Sequence, residues 1–140
     1  MDQTIEPLSD GHAQELEAKR SWVRDHYDAR SRHKYETIEG KLRLLDTILQ
    51  NDWVSPEDTV KLQCLGITFG DALAQELGLQ WVTVEDEYGR DPALSLQGSS
   101  VLVFPMTSIS KRVERGETVV PSALFQEALA TIREHKGRWT

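Results

Sequence analysis

The sequence predicts a single α+β domain. N-terminal helices and a central buried helix pack on a three-stranded antiparallel β-meander, and two C-terminal helices follow. Three observations point there. Apolar residues recur at helical spacing before Gly78 and again after Thr107, three short β-rich runs separated by turn residues lie between, and the order is blockwise rather than alternating. A chain of 140 residues is long enough for one substantial core.

The first element opens at Ser9-Asp10, either of which can cap a helix running to about Arg32. Leu16, Val23 and Tyr27 share one face with Trp22 beside them, and Glu17, Arg20, Arg24 and Asp28 are placed on the opposite, charged face. Residues 1–34 thus read as an N-terminal amphipathic helix and residues 35–140 as the α+β core of one globular unit. A second helix spans about Tyr35 to Gln50 on the stripe Ile38, Leu42, Leu45 and Leu49. Ser55-Pro56-Glu57-Asp58 is a helix start: a capping hydroxyl, a proline suited to the first turn, and two acids at the positive end of the helix dipole. From there Leu62, Leu65, Phe69, Leu73 and Leu77 form one stripe and Val60, Cys64 and Ile67 another. Two stripes imply a helix surrounded by protein, ending at a left-handed Gly78.

Trp81–Val84, Ala93–Leu96 and Val101–Phe104 read as strands, with Tyr88–Pro92 and Gly98–Ser100 as turns. Turns this short favour antiparallel pairing. Thr107 caps a short helix to Arg115 with Ile109 and Val113 inward. Ser122 starts the last helix, which buries Leu124, Phe125, Ala128, Leu129 and Ile132 and carries His135 and Lys136 at its negative end.

Charge and composition exclude several functions. The net charge of −7 is concentrated in residues 51–100, with 9 acidic against 2 basic groups. Nucleic-acid binding needs a clustered basic footprint, so it is not expected. No apolar run is long enough to cross a membrane, and MDQTIEPLSDGH lacks the basic and apolar parts of a secretory signal. A cytoplasmic location is therefore expected, and the lone Cys64 cannot close an internal disulfide. The four histidines form no metal-ligand motif, and no phosphate-binding or dinucleotide-binding glycine pattern occurs. No cofactor or metal is expected, and no residue set amounts to a catalytic constellation. The four tryptophans read as packing residues.

Asp71 continues the stripe Val60, Cys64, Ile67 at helical spacing, so this acid needs a partner or a place at the helix edge. Lys111 or Arg112 is the expected partner. Gly66, Gly70 and Ala74 lie four apart, which admits a close neighbour, expected to be the meander. Thr107, Ser108, Ser110, Lys111 and Arg112 concentrate hydroxyls and cations at a strand-to-helix junction suited to an anion. Ser108 and Lys111 also match the spacing of acyl-transfer serines, without the accompanying motifs. Against that stands a solvated face of Ser108, Lys111 and Arg115.

From Leu65 the residues Leu65-Gly66, Phe69-Gly70-Asp71, Leu77-Gly78, Trp81, Gly89, Asp91-Pro92-Ala93-Leu94, Phe104–Glu114 and Gly116-Glu117 are similar to a family of small bacterial domains of unknown function. The resemblance covers about residues 35–130. It implies no substrate, cofactor or catalytic residue, and it directs attention to Asp71, Trp81, Asp91 and Thr107–Arg112 as ligand- or partner-binding candidates. Small size and an acidic middle favour a non-enzymatic module that meets a protein partner, for example an immunity-type protein bound to a toxin. The alternative is a small-molecule or anion-binding protein or enzyme whose site lies near Asp71 and the Thr107 helix start. The sequence leaves the oligomeric state open.

Overall fold

The computed structural model describes residues 3–134 and 138–140. Helix α1 (Asp10–Arg24) starts as expected, with the Ser9 hydroxyl accepting the His12 amide at 3.2 Å. It stops eight residues early. The Asp28 carboxylate accepts the Ser31 amide at 2.9 Å, and such side-chain bonds offer the backbone an alternative to helix. A 3₁₀ turn (Arg32–Glu36) then carries Tyr35 into the core. Helix α2 (Ile38–Gln50) is capped by Thr37 and buries Lys41, Leu44, Leu45 and Ile48. Ile38, Leu42 and Leu49 are only half-buried, so the buried face is rotated from the expected stripe.

Helix α3 (Thr59–Leu77) is the centre of the molecule. Its cap is Asp58, which accepts the Lys61 amide at 3.1 Å. Ser55 instead donates to the Glu57 carboxylate at 2.5 Å and accepts the Glu57 amide at 3.4 Å, ahead of the helix. Every residue from Cys64 to Gly70 is buried, as expected of a helix wrapped by its own chain, whereas Val60 is 62% exposed. Gly78 ends the helix at φ +68.

The sheet has five strands rather than three, in the order β1-β2-β3-β4-β5. The expected meander is β2 (Gln80–Asp86), β3 (Gly89–Ser95) and β4 (Leu102–Val103), paired antiparallel. Strand β1 (Thr4–Pro7) adds antiparallel to β2, and β5 (Arg138–Trp139) adds parallel to β4. Gly89–Pro92 is extended rather than a turn, with Asp91 opposite Val84 and Pro92 opposite Thr83. Pro92 is tolerated because β4 pairs only with Leu94 and Ser95, which leaves the Pro92 flank free of a ladder there. Trp81, Leu94 and Val103 pack into the main core with the helices. Val82, Val84, Ala93 and Leu102 gather with Phe104 on the opposite face of the same strands.

After β4, a 3₁₀ turn (Pro105–Thr107) lies along α3, followed by α4 (Ser108–Glu114) and α5 (Pro121–Arg133). Proline, not Ser122, opens α5, and all five expected core residues of that helix are buried. His135 and Lys136 lie outside the described residues. A Cβ on Gly66 would stand 2.3 Å from the Met106 carbonyl oxygen, and one on Gly70 would stand 2.4 Å from Pro105 Cγ and 3.1 Å from Trp81. The glycine notches therefore receive the Pro105–Met106 turn, and the meander contributes only the Trp81 ring. Cys64 is buried among these helices, and burial pushes its thiol above the ordinary range. A thiol reagent should label native protein slowly and urea-unfolded protein at once; equal rates would mean that α3 is not enclosed.

Candidate functional site

The Asp71 carboxylate finds its partner on α1, not on α4. Arg20 grips it with two bonds, Nε to Oδ2 at 2.5 Å and Nη2 to Oδ1 at 3.0 Å, and the Trp81 indole donates to Oδ1 at 2.9 Å. A two-pronged guanidinium–carboxylate contact fixes orientation as well as charge. Burial disfavours the charge on Arg20, but the hydrogen bond and charge of Asp71 outweigh it and hold the proton more firmly than usual. Arg20 was expected on a solvated face. It sits four residues after Leu16 and three before Val23, which is the apolar face itself.

Lys111 and Arg112 are elsewhere. Arg112 donates to the Ser108 and Thr140 backbone oxygens and lies over the Trp139 ring. Ser108 and Ser110 are buried, their hydroxyls bonded to the Pro105 and Thr107 carbonyls, which removes the expected solvated serine face. Asp91, Thr107 and Lys111 border a separate pocket. The structure thus divides the single site expected near Asp71 and Thr107 into two places.

Around Asp71 is an open cleft of about 510 Å³, walled by Arg20 and Arg24 of α1, Tyr35 and Glu36, Lys41 of α2, and Ala74 and Gln75 of α3. Glu17 joins the two arginines, accepting from Arg20 at 2.9 Å and Arg24 at 3.1 Å. The Arg20 hydrogen bond holds the Glu17 carboxyl below its ordinary range. Tyr35 shares a hydrogen bond with Thr68 at 2.8 Å, and burial raises its hydroxyl well above the ordinary range.

Lys41 stands out chemically. It is 6% exposed, its ammonium donates to the Gln75 amide oxygen at 2.6 Å, and it lies 4.9 Å from the centre of the Tyr35 ring. Among the described residues it forms no ion pair. Burial pulls its pKa below the ordinary range, against the opposing charges of Asp71 and Glu36. The sequence carried a signal for this residue, since Lys41, Leu44, Leu45 and Ile48 form one helical stripe with a cation at its head.

Of the other expected packing aromatics, Trp53 is 51% exposed and stacks on His26, which also meets the edge of Trp22. Among the described residues no cluster could hold a metal ion, and no helix is long and apolar enough to cross a membrane.

A family model described as "Domain of unknown function (DUF3806)" matches residues 41–125, more than half of the chain. No curated protein matches. A crystal structure from Bacteroides thetaiotaomicron VPI-5482 superposes with a TM-score of 0.73 at 19% identity, over 92% of this chain and 48% of that one. The chain spans about half the length of that protein, and the likeness is one of fold.

Proposed function

The chain belongs to the DUF3806 family of domains of unknown function, and we propose that it binds a small anionic ligand in the cleft between α1, α2 and α3. The buried Lys41 ammonium carries this reading. An ammonium has three donors, and here one meets an amide oxygen while no carboxylate comes within ion-pair distance. A buried charge left without a counter-ion costs several kcal/mol, and the adjacent space can take the missing anion. Arg24 at the wall supplies a second cation, and the Gln75 amide oxygen holds the Lys41 ammonium. Carboxylates and phosphate esters are the ligand class this charge pattern fits.

Lys41→Met separates the two roles of the residue. In parent protein, inorganic phosphate or a dicarboxylate should raise the melting temperature saturably, since binding to the folded state adds stability. The variant should lose that response while melting at or above the parent without ligand. Lys41 has a lowered folded pKa, so the unfolded chain binds more protons, and the penalty is full below that value and fades as pH rises to 10.5. The parent's deficit against the variant should shrink over the same range. A ligand response retained by Lys41→Met would remove this reading.

The protein-partner reading draws on a different feature. Tyr88 is 83% exposed at the β2–β3 turn, beside Glu85, Asp86 and Glu87. An exposed tyrosine among acids suits a basic protein surface. Capture of a partner at low salt that both Tyr88→Ser and raised salt abolish supports it; capture indifferent to both counts against it.

A further inference from the structure

A second concavity, separate from the cleft, is bordered by β3, Phe104, the Pro105–Thr107 turn, α4 and the β5 segment and has a volume of about 190 Å³. Pro92, Phe104 and Met106 give it an apolar wall, and Asp91, Thr107 and Lys111 stand around it. Arg138 also borders it but is engaged, lying 4.1 Å from the Phe104 ring centre and 3.9 Å from Asp86. Thr140 borders it too, its backbone oxygen accepting from Arg112 at 3.4 Å. The Asp91 carboxylate, the Thr107 hydroxyl and the Lys111 ammonium make no hydrogen bond or ion pair among the described residues.

The Asp91 carboxylate and the Lys111 ammonium border one small pocket and form no ion pair with each other. Each is free to meet a separate group of opposite charge. A simple anion would satisfy Lys111 and be repelled by Asp91, and a simple cation would meet the reverse. At about 30 Å³ for each water molecule, the pocket holds roughly six waters, which is the scale of a ligand of six to nine non-hydrogen atoms.

We propose that this pocket binds a free α-amino acid with an aliphatic side chain. Asp91 takes the α-ammonium, Lys111 and Thr107 take the α-carboxylate, and Pro92, Phe104 and Met106 cover the side chain. A few placed polar groups on an apolar wall are the usual means by which a pocket of this kind orients its ligand. Both charged contacts are charge-assisted hydrogen bonds, and neither depends on the anion cleft.

The test uses the intact chain with L-leucine, leucinamide and N-acetyl-leucine as probes in calorimetric titration. L-Leucine should bind saturably, and the two blocked analogues, which lack one charge each, should bind at least tenfold more weakly. Asp91→Asn and Lys111→Met should each weaken L-leucine at least tenfold, and the same contrasts should hold in Lys41→Met protein, whose cleft lacks its buried ammonium. Asp91 and Lys111 are exposed and unengaged, so both variants should keep the parental melting temperature. The proposal is overturned if neither L-leucine nor any other aliphatic amino acid binds, if the blocked analogues bind as well as L-leucine, or if the two variants bind it normally.

Discussion

Asp71→Ala lowers the melting temperature by roughly 10 °C. The change removes both acceptors from the Arg20 guanidinium and the acceptor of the Trp81 indole, while both donors stay partly enclosed. The Asp71 and Arg20 side chains are 14% and 22% exposed, so water reaches them poorly. Breaking a buried pair from one side costs about 3 kcal/mol at the lower end of its range, and a degree of melting temperature is worth about 0.3 kcal/mol in a domain of this size. Asp71→Asn keeps an oxygen for Trp81 and should lose less. Arg20→Met combined with Asp71→Leu should recover much of the loss, because two packed apolar groups leave no stranded charge. Urea denaturation of the parent, Arg20→Met, Asp71→Leu and the double variant gives the coupling directly. A coupling near zero would mean that Arg20 and Asp71 do not meet.

Gly66→Ala should be nearly as damaging, although alanine is the better helix former. The gain in helix propensity is about 1 kcal/mol. Against it, the new methyl would stand 2.3 Å from the Met106 carbonyl oxygen and 2.5 Å from that of Pro105. Both are backbone atoms with no rotamer to relieve the clash, so α3 and the Pro105–Thr107 turn must part. Overpacking costs about 1–3 kcal/mol and more where backbone cannot yield, and a net loss of about 2 kcal/mol is expected. Gly11→Ala is the control, since nothing lies within 4 Å of its Cβ position, and it should melt at or slightly above the parent. A Gly66→Ala protein as stable as the parent would show that the turn does not press on the helix.

The periodicity of α3 and α5, the three meander strands and the left-handed Gly78 were legible because each depends on residues close in sequence. Strands β1 and β5 were not, since four and two residues carry too little pattern and pair with distant segments. The need of Asp71 for a partner was legible from its place on an apolar stripe. Its partner was not, because Arg20 stands between Glu17 and Arg24, whose charges suggest a polar face. Its spacing from Leu16 and Val23 puts it on the apolar one, by the reasoning that had singled out Asp71. Lys41 is hidden for a related reason: Ile38, Leu42, Leu45 and Leu49 make an apolar stripe on α2 that leaves out the cation at the head of the buried one. Ser108 looked solvated because an amphipathic pattern in a seven-residue helix says little about what covers its other side.

The 510 Å³ cleft has a mixed parentage. Lys41, Asp71 and Gln75 come from the stretch the family model matches, and Arg20 and Arg24 come from a helix ahead of it. One jaw thus lies inside the stretch the family model matches and the other ahead of it. Substitutions at Arg24, beside the Arg20–Asp71 contact that holds the two jaws together, would reshape the mouth of the cleft without touching the wall that carries Lys41 and Gln75.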